Sequence, residues 1–255
     1  MSVGGDGGRW SSYDAMARHL APAAQRLTDL VTSTEGAVVD LGSGAGLGLQ
    51  LLERAGVRAV GLERAEDQVR AARSRGVPQI RGDAATLPFR SASVDAVTSN
   101  FAVIFVQPTG AGLAEVARVL RPGGRFAFTA WTPGGWPQPM REVMARHLGV
   151  EAPPFPTDLG KVDTVRAALG DHALDVVDAV AGHLDWQVDG PEHAVEVLTG
   201  AAGGLRLLRS RLEDAGGWDA ARDELVALVE PRCERLDGSL VVRDAYLLTV
   251  ATSRR

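Results

Sequence analysis

Val38-Val39-Asp40-Leu41-Gly42-Ser43-Gly44-Ala45-Gly46-Leu47-Gly48 drives a short apolar run straight into a loop with glycine at every second position. With Ala37 at its head, the run predicts a buried parallel strand. The loop after it must pass very close to a ligand. Gly42, Gly44 and Gly46 lack a Cβ, so they can take φ > 0 and let a bound molecule lie against the main chain. The helix that follows points its N-terminal N–H groups and positive dipole end at that ligand.

Spacing argues against two common ligands. A dinucleotide loop needs G-x-G-x-x-G. Counted from Gly42 the third glycine falls on Leu47, and counted from Gly44 it falls on Leu49. A phosphate-cradling P-loop needs Lys followed by Ser or Thr, and the single lysine, Lys161, precedes Val162.

Further blocks extend the pattern. Ala59-Val60-Gly61-Leu62 predicts a second strand ending at Glu63, in the range of about 20 residues where a ribose-binding acid is expected. A carboxylate there can accept from both ribose hydroxyls, each charge-assisted bond contributing roughly 1.5–3 kcal/mol. A solvated, helix-capping glutamate is the alternative. Ile80-Arg81-Gly82-Asp83-Ala84-Ala85-Thr86-Leu87-Pro88-Phe89 forms a third block. Ser93-Val94-Asp95-Ala96-Val97 opens another strand, ending near Ser99-Asn100-Phe101, and Leu120-Arg121-Pro122-Gly123-Gly124 precedes a fifth.

Four such blocks in this order, over residues 38–131, resemble the class I S-adenosylmethionine (SAM)-dependent methyltransferases. D-L-G-S-G-A-G looks like their first motif, G-D-A-A-T-L-P-F and L-R-P-G-G like later ones. The stretch Trp131-Thr132-Pro133-Gly134-Gly135 and the apolar ending Leu240-Val241-Val242…Tyr246-Leu247-Leu248 are similar to the ubiquinone- and menaquinone-type group. The resemblance implies a Rossmann-like α/β fold. Its sheet would have seven mostly parallel strands, the last antiparallel between the fifth and sixth, with helices on both faces and an added helical insert. It implies SAM as cofactor and S-adenosylhomocysteine as product.

Carried over residue by residue, the resemblance places Asp40, Gly42, Ser43, Gly44 and Gly46 at the cofactor and Glu63 on the ribose. Arg64 and Gln68 would flank the adenine, although relatives often carry an apolar residue where Gln68 stands. Asp83 would accept from the adenine amine while the Ala84 N–H meets a ring nitrogen, a pairing that suits a base with one donor and one acceptor edge. The backbone near Asn100 would meet the methionine amino group, and Tyr13 would close over SAM. Ligands of open α/β sheets bind beyond the carboxyl ends of the strands. Phe101, Phe105, Trp131 and Trp136 are therefore expected around an apolar or aromatic acceptor, core packing of Phe101 and Phe105 being the alternative.

The polar-Pro-Pro-aromatic tetrapeptide of amino-group methyltransferases is missing from Ser99-Asn100-Phe101-Ala102, which argues against nucleic-acid base or protein glutamine substrates. No catechol-type metal site is visible, and no metal is expected. His19 and His147 are the weak candidates for a base near a substrate hydroxyl, with surface or packing roles as the alternative; His183 belongs to the expected edge strand. The expected reaction is methyl transfer to an O or C atom of a small metabolite. Two rivals stay open: a methyltransferase-fold protein without methyl transfer (cyclase-like, or a SAM-binding module), and a NAD(P)-dependent oxidoreductase.

The composition suits this reading. The 255 residues are 45% hydrophobic and 23% charged, with a net charge of −5. That balance leaves no basic footprint for nucleic acid or an anionic membrane. The single cysteine, Cys233, excludes an intramolecular disulfide. No apolar run approaches the ~20 residues needed to span a bilayer, and no secretory signal stands at the N-terminus; a cytoplasmic protein with a small-molecule partner is expected. One methyltransferase domain over 1–255 is expected, with Gly-rich 1–10 disordered. A helix from about Tyr13 to Val31 leads into the SAM-binding core at 38–131. Segments 132–165 and 191–235 would cover the substrate, the second being helical with breaks at Gly200–Gly204 and Gly216–Gly217.

Overall fold

The computed structural model describes residues 12–254. Helix α1 (Ser12–Val31) precedes strand β1 (Val38–Leu41), whose four residues are all buried. Helix α2 (Leu47–Arg54), β2 (Ala59–Glu63), α3 (Glu66–Ser74), β3 (Gln79–Arg81) and β4 (Val94–Asn100) follow. Then come α4 (Thr109–Val119), β5 (Leu120–Trp131), α5 (Pro137–His147), α6 (Val162–Gly170) and β6 (Leu174–Val188). The chain ends with α7 (Pro191–Ala201), α8 (Gly203–Asp214), α9 (Trp218–Val229), β7 (Cys233–Leu236) and β8 (Ser239–Ser253).

The strands form one sheet in the order β3-β2-β1-β4-β5-β8-β6, with β7 paired to β8. Pairing is parallel from β3 to β5: Val39 stands opposite Val60 on one side and Val97 on the other. β8 runs antiparallel to β5, with Phe128 opposite Thr249. The expected insertion of the last strand between the fifth and sixth is thus observed. Apolar strands buried on both faces read as continuous hydrophobic runs, which is why Val38–Val39 and Ala96–Val97 show no alternation. Chain order reverses beside β1: β2 lies to one side and β4 to the other. That leaves a crevice at the carboxyl ends of β1 and β4.

One difference from the sequence reading lies at 233–242. Helix was expected to continue to about 235, but Cys233–Leu236 is a strand paired with Ser239–Val242. Asp237 and Gly238 form the turn, at φ 47 and 84. Asp-Gly is a strong two-residue hairpin signal because both residues tolerate φ > 0, whereas the helix itself has already ended at Val229, followed by the Glu230-Pro231-Arg232 turn. Cys233 is consequently a half-buried strand residue, its thiol pushed up by burial and then by Glu230 and Glu192.

Two compact units partition the chain, and each has its own core. Among the described residues the sheet unit comprises 20–135, 155–184 and 244–254. Its apolar clusters include Val39, Leu41, Val97, Phe126, Phe128 and Leu169. Phe126 and Phe128, two apart on β5, stack with centroids 4.6 Å apart. Among the described residues the helical unit comprises 12–19, 136–154 and 185–243. α5 and α7 to α9 pack there around Trp136, Met140, Met144, Trp186, Leu198, Leu225 and Val242. Breaks between α7, α8 and α9 fall at Ala202 and at Gly216–Gly217, as the glycines predicted. Among the described residues no helix is long and apolar enough to cross a membrane.

Phe126 is fully buried, whereas Phe105 is 54% exposed. Phe126→Ala is therefore expected to lower unfolding free energy by about 3–5 kcal/mol, and Phe105→Ala to change it by less than about 0.5 kcal/mol. Urea titration of the two variants beside the parent protein checks both.

Candidate functional site

The loop after β1 adopts the backbone its glycines allow. Gly42, Gly44 and Gly46 have φ of 69, 55 and 91. Its first residues stay tied to the neighbouring strand, for the Gly42 N–H donates to the Leu62 carbonyl at 2.7 Å. On the outer side Gln79 of β3 donates to the Gly44 carbonyl at 2.8 Å, and Arg75 donates to the Ala45 carbonyl. The loop is thus pinned through its carbonyls, while α2 begins at Leu47, directly after Gly46.

Asp40 lies beneath this loop, 5% exposed. Its Oδ1 accepts from the Thr98 hydroxyl at 2.8 Å. Its Oδ2 sits against the first turn of α2, where a Cβ on Gly48 would come within 2.7 Å. Burial pushes the Asp40 carboxyl up to about 7; the Thr98 hydrogen bond opposes this and the charge of Glu63 adds to it. The Ser43 hydroxyl is buried with no hydrogen-bond partner.

Glu63 ends β2 beside the loop. One oxygen accepts from the Gly44 N–H at 3.1 Å and the other from the Ala65 N–H at 2.8 Å. Two backbone donors hold the carboxylate in place, and each oxygen keeps a further lone pair for a diol. At the end of β3, Asp83 is exposed and accepts from the Ala85 N–H at 2.9 Å. The turn is closed by Thr86 N–H donating to the Asp83 carbonyl. Arg64 is exposed, and Gln68, on the first turn of α3, keeps a buried Oε1 without a partner.

At the carboxyl end of β4, Asn100 accepts from the Thr129 hydroxyl at 2.9 Å. Thr129 in turn accepts from the Phe101 N–H at 3.0 Å. Phe101 takes φ 55, a strained conformation for a bulky residue that persists only when its surroundings over-determine it. They do so here: its ring stacks on Trp131 at 3.8 Å and meets Tyr246 edge-on at 5.5 Å. Phe101 is 5% exposed and packs in a core cluster with Tyr246 and Leu248, the core placement that was the alternative. Phe105 instead projects outward, edge-to-face with Phe155 at 5.8 Å. Trp131 is half-buried.

The sheet unit thus brings Asp40, Gly42, Ser43, Gly44, Gly46, Glu63, Asp83, Ala84, Asn100 and Trp131 to the carboxyl ends of adjacent strands. Trp136 and His147 belong to the helical unit. Trp136 is 4% exposed there, and His147 pairs with Glu224 at 3.0 Å beside Arg146. The Tyr13 side chain lies outside the described residues. Thr98, Gln79 and Thr129 escaped the sequence reading; each acts through strand neighbours that only the sheet order supplies. Gly48 was legible as a fourth alternate glycine, but its role against Asp40 was not.

The donor set fits an adenosyl ligand carrying a diol and a base. Glu63 offers anchored acceptors for hydroxyls. Asp83 and Ala84 offer an acid beside a backbone N–H that is unbonded among the described residues.

Residues 39–128 match the model of a methyltransferase domain. A demethylmenaquinone methyltransferase of Corynebacterium kroppenstedtii is 41% identical over 89 residues, covering 35% of this chain and 39% of that protein. The Mycolicibacterium gilvum enzyme of the same name is 36% identical over 114 residues, 44% of this chain and 50% of its own. The chain therefore spans half or less of the length of these curated relatives. Among solved structures, a Bacillus halodurans protein classed as a methyltransferase superposes with a TM-score of 0.63 at 16% identity, over 91% of this chain and all of its own. The [4+2]-cyclase SpnF gives 0.56 at 19% identity, over 91% and 81%. Geranyl diphosphate methyltransferase, in complex with GPP and sinefungin, gives 0.53 at 20% identity, over 92% and 79%. These structures share the fold.

Asp40 makes the site pH-sensitive with a definite sign. Its native carboxyl holds a proton that the unfolded chain, at pKa 3.8, has released. Its contribution to stability is complete below about pH 4 and is lost as pH rises through about 7. Between pH 5 and 7 the parent protein should lose about 2–3 kcal/mol relative to Asp40→Asn. Urea unfolding at the two pH values measures this; equal slopes would mean that Asp40 is ionised throughout.

Proposed function

We propose that this chain is a SAM-dependent methyltransferase that methylates an O or C atom of a quinone-type aromatic small molecule. The reading is carried by one observation: Glu63, anchored by the Gly44 and Ala65 amides, stands beside a loop whose three glycines all have φ > 0. Bound SAM would supply an electrophilic methyl on a sulfonium, leaving S-adenosylhomocysteine after transfer. Residues 39–128 match a methyltransferase domain, and relatives of this segment act on demethylmenaquinone, which is the support for a quinone-type acceptor.

The residues divide the work in this reading. Glu63 takes the ribose hydroxyls, and the Asp83–Ala84 pair takes the adenine edge. Arg64 and Gln68 border the base. Asn100, oriented by Thr129, stands where the methionine amino group would lie. Trp131 and the outward Phe105–Phe155 pair offer aromatic surface for a flat apolar acceptor. Holding two reactants near 3–3.5 Å in line can supply roughly 7–11 kcal/mol of a barrier, against about 10²–10⁴-fold from a general base. Positioning is thus the larger contribution asked of this chain. A cytoplasmic, small-molecule role follows from the same reading.

A cyclase shares this fold, so methyl transfer has to be measured directly. Thermal unfolding with SAM, S-adenosylhomocysteine, NAD and NADP comes first. Ligand at 100 times its dissociation constant should add about 2.7 kcal/mol, for the two adenosyl compounds alone. Glu63→Ala and Asp83→Ala should each weaken SAM binding at least tenfold while the protein stays folded. Labelled methyl from SAM should then appear in a demethylated naphthoquinol. Adenosyl binding without transfer would favour a cyclase-like or binding role, and a response to nicotinamide cofactors alone would end the methyltransferase reading.

A further inference from the structure

Two buried hydroxyls hold the turn that follows β4. Thr129 of β5 stands opposite Asn100, the last residue of β4, and is wholly buried. Its Oγ1 accepts from the Phe101 N–H at 3.0 Å and donates to Asn100 Oδ1 at 2.9 Å. Ser99, also wholly buried, accepts from the Val103 N–H at 2.9 Å and donates to the Leu41 carbonyl at 3.0 Å. Leu41 directly precedes Gly42. The turn packs straight onto the glycine loop, for a Cβ on Gly42 would come within 2.1 Å of the Ala102 Cβ.

The direction of these bonds follows from their chemistry. A backbone N–H can only donate, so each hydroxyl accepts there and has its one proton left for an oxygen. That proton sets the Asn100 side chain: its oxygen faces Thr129, and its Nδ2 donates to the Leu20 carbonyl at 3.4 Å. Threonine suits the task because a β-branched side chain has few rotamers. The hold is needed because Phe101 takes φ 55, which a bulky residue keeps only when its surroundings over-determine it. Stacking on Trp131 fixes the ring, while the hydroxyls fix the main chain. A binding group held within about 0.5 Å by such bonds is preorganised, and less ordering is left to the binding step.

We propose that Thr129 and Ser99 are positioning residues for the amino-acid end of the bound cofactor. They act through the main chain of residues 100–102, which they hold against Gly42 where the methionine amino group of an adenosyl ligand would be met. The proposal rests on the methyltransferase reading and deepens it. Selection of ligands that carry an amino-acid end belongs to this turn, and the ribose and adenine are left to Glu63, Asp83 and Ala84.

The test compares S-adenosylhomocysteine with 5′-methylthioadenosine, which keeps the base, ribose and sulfur and lacks the amino-acid end. In calorimetric titration of the full chain, the parent protein should bind S-adenosylhomocysteine at least tenfold more tightly. Thr129→Val keeps the shape of the side chain and removes the hydroxyl. It should reduce that preference below threefold while affinity for 5′-methylthioadenosine stays within twofold of the parent. Thr129→Ser keeps the hydroxyl and should retain the tenfold preference. If circular dichroism shows Thr129→Val unfolded, Ser99→Ala is read by the same criterion. A parent preference below tenfold would overturn the proposal, and so would a preference that survives in Thr129→Val or disappears in Thr129→Ser. Weakening of both compounds together would mark a packing defect and overturn it too. Each of these results removes this proposal alone; a parent protein that binds neither compound removes the methyltransferase reading as well.

Discussion

Burial of β1 between two parallel neighbours is the constraint on which the sheet unit depends. A strand flanked on both sides and covered on both faces can expose functional backbone only at its end. The chain reverses its order there, with β2 to one side and β4 to the other, so the end of β1 has room above it. Only a loop nearly free of side chains can use that room, and the positive φ values at Gly42, Gly44 and Gly46 are what the turn requires. Glu63 reaches the Gly44 N–H because β1 and β2 are paired in register, Leu41 opposite Leu62.

Asp40 shows the tension in this arrangement. It sits on the buried strand, so its carboxyl has lost water and, among the described residues, gained only the Thr98 hydroxyl as a side-chain hydrogen-bond donor. Burying an unpaired carboxylate is unfavourable, and retaining a proton is the cheaper alternative. The site therefore holds, close to Glu63, an acid that resists ionisation. A cationic ligand over the loop would shift that balance by favouring the charged form of Asp40.

The helical unit follows a different logic. Its helices are separated by glycines and bury a core of tryptophans, methionines and aliphatic residues. Among its described residues three buried side-chain nitrogens, on His19, Trp136 and Arg141, have no hydrogen-bond partner. His147 illustrates the opposite case. It is tied to Glu224 in a surface ion-pair group with Arg146, a role that accounts for it without chemistry.

Residue order and local chemistry alone determined a good deal. The apolar runs before Asp40, Glu63 and Asn100 marked parallel strands, because strands covered on both faces must be continuously apolar. The alternate glycines marked a loop open to a ligand, and their spacing argued against a dinucleotide fold. Asp237-Gly238 carried a turn signal that was legible and went unread. Tertiary structure decided what depends on neighbours distant in the chain. It made Asp40 reluctant to ionise by burying it beneath the loop, with the charge of Glu63 adding to that and the Thr98 hydrogen bond opposing it. It placed Gln79 against the Gly44 carbonyl through the order β3-β2-β1, and turned Phe101 inward onto Trp131 while leaving Phe105 outside. Burial, hydrogen-bond partners and charge environment are properties of the packed chain, and no local stretch of sequence contains them.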